Sequence, residues 1–183
     1  LFIMKKFLKI VGVLILILVA ALLVTGAFVD THFHVKRDID INEDKASVFA
    51  YTKMLKNQKN FSKWQTLDPN QKHTFTGTDG EPGFIVAWES DKDSVGVGEQ
   101  EITKITEGER IDYALRFKKP EEMESTAYME FKDANGGTNV TWGFEFDVPY
   151  PFNAFMVGAD MDAMLGPDLE FGLEKLKKIR ENQ

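Results

Sequence analysis

Hydrophobic and polar positions alternate along most of the chain between residues 72 and 148. The clearest run is 110–118, where Ile111, Tyr113, Leu115 and Phe117 alternate with small or polar residues. Such alternation is typical of a strand with one buried and one exposed face. Short turn sequences separate the runs, so the pattern predicts an antiparallel meander of about six strands. The predicted strands cover residues 72–78, 84–89, 95–106, 110–118, 125–132 and 138–148.

Helical patterns lie on both sides of this strand-rich region. Residues 34–41 predict a first strand, followed by a helix over 45–56 and a short second helix within 57–66. From Phe152 to Ile179 apolar residues recur at three- and four-residue steps, which predicts a long C-terminal helix. Gly166 and Pro167 should break or kink that helix near its middle. The resulting fold class is α+β, with helices on one side of an antiparallel sheet.

The N-terminal segment has a different character. Residues 10–29 form an uncharged run of twenty residues, preceded by Lys5, Lys6 and Lys9. At about 1.5 Å per residue, such a helix covers a hydrocarbon core of roughly 30 Å. It is either a retained membrane anchor or a cleaved signal peptide with the small residues Thr25 to Ala27 near its end. The run exceeds the usual ~7–15-residue signal core, which favours the anchor.

Both interpretations place one domain, residues 30–183, outside the cytoplasm on the periplasmic face, after a targeting segment over residues 1–29. The basic flank indicates this orientation. The chain contains no cysteine, so disulfides, thiolate metal sites and cysteine nucleophiles are excluded. The net charge of the chain is −7. The only charged residues among residues 1–29 are lysines, so the domain that follows is more acidic than the chain as a whole. An acidic domain repels phosphate backbones, which argues against a nucleic-acid partner.

Candidate chemistry in the sequence is sparse. His32 and His34 alternate near the start of the domain, but His73 is distant in sequence, so no metal site is predicted. No nucleophile elbow, phosphate loop or cofactor motif occurs, and no cofactor is expected. General acid–base catalysis would require Tyr113, Tyr128 or Glu145 to face a cavity. Enzymatic activity is therefore left open, with no catalytic residue assigned.

Several local sequences resemble those of one superfamily. Trp64 precedes Asp68-Pro69, and residues 83–88 precede Gly96-x-Gly98. Residues 136–142 have the sequence GGTNVTW, and residues 166–177 have the helical sequence GPDLEFGLEKLK. In order and spacing these resemble the START/Bet-v-type helix-grip superfamily, also called SRPBCC, particularly its bacterial polyketide cyclase/dehydrase-like members. The resemblance covers roughly residues 33–181. It implies a curved antiparallel sheet of about six to seven strands wrapped around the C-terminal helix, with a hydrophobic cavity between them.

The aromatic and methionine residues are candidates for lining that cavity, and each is also a candidate for the ordinary core. We expect a small apolar ligand, lipid-like or polycyclic, to bind there at the membrane surface. An enzyme of polyketide cyclase or dehydratase type is one alternative, and an envelope interaction domain with a filled core is another. The oligomeric state is left open. The candidate cavity residues are Trp64, Phe84, Trp88, Tyr113, Phe117, Met129, Phe131, Trp142, Phe144, Phe155, Met156 and Met164.

Overall fold

The computed structural model describes residues 2–182, with side chains described from Met4 to Asn182. It contains four α-helices, seven strands and two 3₁₀ helices within those residues. In chain order they are α1 (Phe2–Gly26), β1 (His32–Ile41), α2 (Lys45–Lys53), a 3₁₀ helix (Leu55–Asn60), α3 (Trp64–Leu67), β2 (Lys72–Thr76), β3 (Ile85–Glu89), β4 (Val97–Thr106), β5 (Arg110–Lys119), β6 (Met123–Ala134), β7 (Gly137–Asp147), a second 3₁₀ helix (Phe152–Met156) and α4 (Met161–Glu181).

The strands form one curved antiparallel sheet in the order β1-β7-β6-β5-β4-β3-β2. Consecutive strands from β2 to β7 are neighbours, which confirms the predicted meander. The register between β4 and β5 shifts between Ile102 and Lys104. Such an irregularity increases the local bend and twist of a strand. It therefore contributes to the curvature that gives the sheet a concave face.

The C-terminal helix packs its apolar stripe into that concave face. Leu169, Leu173 and Leu176 of α4 belong to the same buried cluster as Met129 and Val140 of the sheet. Their spacing of three and four residues keeps them on one side of the helix. The structure thus confirms the helix-grip fold expected from the sequence.

The position of the helix break differs from the prediction. α4 continues through Pro167 as one helix, so a break at Gly166 and Pro167 is wrong. The helical pattern is interrupted earlier, between the second 3₁₀ helix and α4, where Gly158 has a φ of +75°. Pro167 removes one backbone donor, whereas the leucines that follow it bury apolar surface continuously. Burial therefore keeps the helix intact across the proline.

By contacts the chain divides into two compact units. The first comprises residues 1–33 and 147–160, and the second comprises residues 34–146 and 161–183. The predicted boundary between residues 29 and 30 stays a prediction. In the first unit, the span Met4–Gly26 of α1 is apolar and long enough to cross a membrane, and its residues 4–25 are exposed or half-buried. A signal sequence near an N-terminus has the same properties.

Candidate functional site

The concave face of the sheet is filled at one end. The register places Phe131 opposite Val140 and Met129 opposite both Ile111 and Trp142. All of these side chains are buried, and Ile111, Met129 and Val140 are completely so. Phe49 of α2 packs edge-on against Phe131, with ring centroids 5.1 Å apart. This end is therefore an ordinary close-packed core.

Toward the other end of the same face, several side chains are less buried, although Ser125, Ala127 and Phe146 remain buried. Phe144 lies opposite Ala127, Leu115 lies opposite Ser125, and Phe117 lies opposite Met123. Phe144, Leu115 and Phe117 are half-buried, and Met123 is exposed. The concave face thus changes from a sealed core into a partly exposed apolar region. We call this region, lined by Leu115, Phe117, Ser125, Ala127 and Phe144, the trough.

The helical elements form one wall beside these strands. Trp142 is contacted edge-on by Phe61 and Trp64, with centroid distances of 5.7 Å and 5.9 Å. A Cβ atom added to Gly172 of α4 would lie 2.6 Å from the Trp142 ring. Glycine at position 172 is therefore what lets α4 approach the indole so closely. Trp64, Met161 and Leu165 pack partly buried against the same core.

One polar atom in the trough lacks a partner. The Ser125 hydroxyl is buried and forms no hydrogen bond within residues 4–182, the part with described side chains. A buried hydroxyl without a partner is unfavourable and would be compensated by a ligand or a water that supplies the missing hydrogen bond. Tyr113, in the next row of the sheet, is 2% exposed. Burial raises its pKa, and the charges of Asp112 and Asp79 raise it further, so the phenol stays protonated.

A separate small pocket opens beside the trough, between the first 3₁₀ helix, α3 and strands β2 to β4. The pocket has a cavity volume of about 30 Å³, enough for one water molecule. Burial lowers the pKa of its His73 below the usual value of 6.5, and the charge of Lys59 lowers it further. The Oε1 atom of Gln65 in the wall is buried without a described partner. The lining residues are Leu55, Lys56, Gln58, Lys59, Gln65, His73, Phe75, Val86, Trp88 and Gln100.

The structure brings most of the predicted cavity residues together. Phe84 is buried beside Ile102, and Trp64 lies on α3 against Trp142. The predicted residues that share the concave face are Trp88, Tyr113, Phe117, Met129, Phe131, Trp142 and Phe144. Phe84, Tyr113, Met129, Phe131 and Trp142 are fully buried members of the core. The half-buried Trp64, Trp88, Phe117 and Phe144 are better placed to touch a ligand.

Three predicted residues do not join that cluster. Met164 of α4 is 64% exposed. Phe155 and Met156 belong to the second 3₁₀ helix in the other unit, and Phe155 is 72% exposed. They were predicted to line the cavity because they are apolar and recur at three- and four-residue intervals, as residues on one face of a helix do.

Two of the acid–base candidates lie on the convex face. Tyr128 alternates with the buried Ala127 and Met129, and its ring packs over Gly143. Its hydroxyl lies 3.0 Å from His34 Nε2, and the Arg110 guanidinium lies 3.9 Å from its ring centroid. Glu145, paired with the exposed Thr126, is on the same side. Of the three candidates, Tyr113 alone lies on the concave face.

Polar residues that the sequence did not single out also position these elements. Arg37 of β1 binds both carboxylate oxygens of Asp162 in α4 at 2.7 Å. The pair was missed because its members are 125 residues apart in sequence. Asp162 is therefore held in an ion pair that joins α4 to β1. Among the residues described, no group of three or more His, Asp or Glu side chains could hold a metal ion.

Comparison with known proteins agrees with this architecture. The sequence profile of the family described as "Polyketide cyclase / dehydrase and lipid transport" matches residues 32–181. A search of curated proteins finds no relative. Among solved structures, Ara h 8.0201 is similar with a TM-score of 0.55 and 13% identity, over 83% of this chain and 99% of the other.

Two bacterial structures show the same fold. The Aha1 protein from Colwellia psychrerythraea, solved as a dimer, has a TM-score of 0.57 and 13% identity, over 81% of this chain and 96% of its own. An uncharacterized protein from Rhizobium leguminosarum has a TM-score of 0.55 and 19% identity, over 83% and 96% of the two chains. At these identities the likeness concerns the fold, and function has to be argued from the site.

Proposed function

Because this chain belongs to the polyketide cyclase/dehydrase and lipid transport family of the SRPBCC superfamily, we propose that it binds a small apolar ligand in the trough. The supporting observation is the change along one face of the sheet, from the buried Met129 to the half-buried Leu115 and Phe117. Half-buried aromatic and aliphatic side chains in a concavity are what an apolar ligand contacts. The family description, which includes lipid transport, points to the same ligand class.

The expected ligand has an apolar body and at least one polar group. The body replaces water against Leu115, Phe117 and Phe144, which is favourable by about 25 cal/mol for each Å² of apolar surface buried. The polar group bonds to Ser125, whose hydroxyl is otherwise unpaired. Lipid-like and polycyclic molecules both meet this description. The site is rigid on the sheet side, because the Ser125 row is held between β5 and β7.

We further propose that α1 is a retained anchor, so that the domain works beside a membrane on the periplasmic side. The 23-residue apolar span is mostly exposed, and an apolar helix of this kind is covered by lipid. A domain tethered to lipid is also close to a reservoir of apolar molecules. The mass of the mature protein in the membrane fraction tests this directly. A mature N-terminus after residue 26 would exclude the anchor and leave ligand binding untouched.

The binding proposal is tested with the full chain in detergent micelles and the fluorescent fatty acid cis-parinaric acid. Energy transfer from Trp64, Trp88 and Trp142 should report the probe only when it lies close to them. Ser125→Phe should block the trough, whereas Thr126→Phe places the same ring on the exposed convex side and serves as the matched control. Loss of transfer in Ser125→Phe but not in Thr126→Phe is the expected result.

Equal transfer in both variants and in the wild type would mean that the probe reports only the micelle, and the proposal would be wrong. Near-ultraviolet circular dichroism should show that Ser125→Phe retains its tertiary structure. Leu115→Phe provides a second, independent block in the same row and adds no tryptophan donor. Absence of transfer in every form would favour the alternative of an interaction domain whose core is filled by its own side chains.

An enzyme of the cyclase or dehydratase type is the second candidate, and His73 favours it. This imidazole lines the side pocket, and burial keeps it neutral near pH 7, as a general base requires. Apolar molecules extracted from wild type and from His73→Gln should be compared by mass spectrometry. Turnover predicts that the variant accumulates a precursor differing in mass, for example by the elements of water. Identical molecules in both extracts would support binding without catalysis.

A further inference from the structure

The loop of residues 149–157 exposes an unusual amount of apolar surface. Phe152, Phe155 and Val157 are 58%, 72% and 64% exposed, and Tyr150 is 52% exposed. The sequence from 148 to 159, VPYPFNAFMVGA, contains no charged residue. Contiguous exposed apolar side chains mark an interaction site. The question is what covers them.

This segment, the 149–157 loop, is hydrogen-bonded to the C-terminal end of α1. Asn153 is fully buried and donates from Nδ2 to the carbonyl oxygens of Gly26, at 2.8 Å, and Val29, at 2.7 Å. The Tyr150 hydroxyl donates to the Leu23 carbonyl oxygen at 3.3 Å. The carbonyl of Gly26, the last residue of α1, has no partner within the helix, so Asn153 satisfies a group at the helix end that would otherwise be unpaired.

The fit is close as well as polar. A Cβ atom added to Gly26 would lie 2.9 Å from Asn153 Oδ1 and 3.2 Å from the Tyr150 ring. The absence of a side chain at residue 26 therefore allows the loop to contact the helix backbone. The position of the loop along α1 is consequently fixed at the last turn, and it does not slide toward the middle of the helix.

That position corresponds to one boundary of a bilayer. The span Met4–Gly26 has 23 residues, about 34 Å at 1.5 Å per residue, which matches a hydrocarbon core of about 30 Å. Gly26 then lies near the boundary between acyl chains and headgroups, where aromatic side chains are enriched in membrane proteins. The apolar side chains of the 149–157 loop are attached at this depth.

We propose that the 149–157 loop is a second membrane contact, which inserts Phe152, Phe155 and Val157 into the headgroup–acyl boundary beside α1. This rests on the proposed retention of α1 as an anchor. The partner is a lipid surface rather than a protein, because the loop is attached to the helix that lipid covers. With no charge in the loop, the contact depends on apolar burial and requires no anionic lipid. It gives the unit of residues 1–33 and 147–160 a second point of attachment to the bilayer beside α1.

The absence of cysteine allows a direct measurement of depth. Nitroxide labels are attached to Phe155→Cys and Val157→Cys in the full chain, reconstituted in phosphatidylcholine nanodiscs. Collision with oxygen, which concentrates in lipid, is compared with collision with a water-soluble nickel chelate. Leu16→Cys in the middle of α1 and Ser94→Cys in an exposed turn provide the lipid and water references.

We expect the oxygen-to-nickel collision ratio at residues 155 and 157 to be several-fold above that at 94 and below that at 16. A ratio equal to that at 94, with residue 16 in lipid, would overturn the inference and leave the anchor intact. Low collision with both reagents would show burial against protein, which also overturns it. Water exposure at residue 16 would instead refute the anchor itself. Replacing a third of the lipid with phosphatidylglycerol should leave the ratios unchanged.

Discussion

Arg180, in the last turn of α4, forms two hydrogen bonds with the carboxylate of Glu43 in the turn between β1 and α2. The Nε–Oε2 and Nη2–Oε1 distances are 2.9 Å and 2.6 Å. Ser47 donates to the same carboxylate and accepts from Arg180 Nη2. The guanidinium also lies over the ring of Tyr51, 4.9 Å from its centroid. This cluster therefore holds the C-terminal end of α4 to the turn between β1 and α2.

Glu43→Gln should therefore destabilise the fold. The Arg180 and Glu43 side chains are 8% and 20% exposed, so the variant removes a carboxylate that is hydrogen-bonded to a largely buried guanidinium. We expect the free energy of unfolding to fall by about 2 kcal/mol, somewhat less than for a fully buried pair. Urea unfolding of the full chain in micelles, followed by tryptophan fluorescence, measures it.

Glu107→Gln is the matched control for that substitution. It removes the same kind of group from an ion pair with Lys53 in which the Glu107 side chain is 70% exposed. Exposed pairs contribute little, so the change should stay within about 0.5 kcal/mol. Equal losses in Glu43→Gln and Glu107→Gln would contradict the role given to the Arg180 cluster.

Gly172→Ala should also destabilise the domain, but for a steric reason. The new Cβ atom would lie 2.6 Å from the Trp142 ring, which is itself held by Phe61 and Trp64. Overpacking of this kind costs about 1–3 kcal/mol. Glu174→Ala, on the exposed side of α4, should change stability little. If Gly172→Ala were as stable as wild type, α4 would have to lie farther from Trp142 than described.

The pH dependence of stability should include a contribution from His73. Because burial and Lys59 lower its pKa in the folded state, the folded protein binds fewer protons than the unfolded chain below pH 6.5. Stability is therefore lost as the pH falls from 7 through the folded pKa. The urea midpoint of wild type should drop more than that of His73→Gln between about pH 7.5 and 5.5. Equal drops would exclude His73 as the source.

Ser125→Ala should raise stability and lower ligand affinity at the same time. Removing a buried hydroxyl that has no partner should stabilise the free protein by about 1 kcal/mol. A ligand that bonds to this hydroxyl would lose that bond in the variant. Thr126→Ala, on the exposed side of β6, should alter neither quantity. A drop in stability without a change in affinity would indicate an ordinary structural serine.

The sheet was predictable from sequence because burial follows a period of two. Ile111 and Tyr113 are both buried, and the register places each beside a β6 residue of the same face. The same reasoning failed for residues 152–160. Phe155 and Met156 have helical spacing but belong to a 3₁₀ helix that precedes α4. Periodicity records which residues are apolar and does not distinguish a core from a surface exposed for another purpose.

The candidate site was predictable only in outline. The sequence identifies the aromatic residues of the concave face, but which of them are half-buried depends on how strands of different length meet. Phe117 and Met123 are opposite each other at the open end, whereas Phe131 and Val140 are sealed. Ser125 was not singled out, because a lone serine within a strand has no distinctive pattern. Its significance follows from burial and from an absent partner.

The order of strands in the sheet affects how the protein is made. β1 emerges from the ribosome directly after α1, yet its neighbour in the sheet is β7, the last strand to be synthesised. The bond between Asn139 and Asp40 joins residues 99 positions apart. During translation β1 would therefore remain with an unpaired edge until β7 is made, and pairing over such a separation is slow. Closure of the sheet must come late, so the interval between synthesis of β1 and synthesis of β7 is when this chain most needs protection from aggregation.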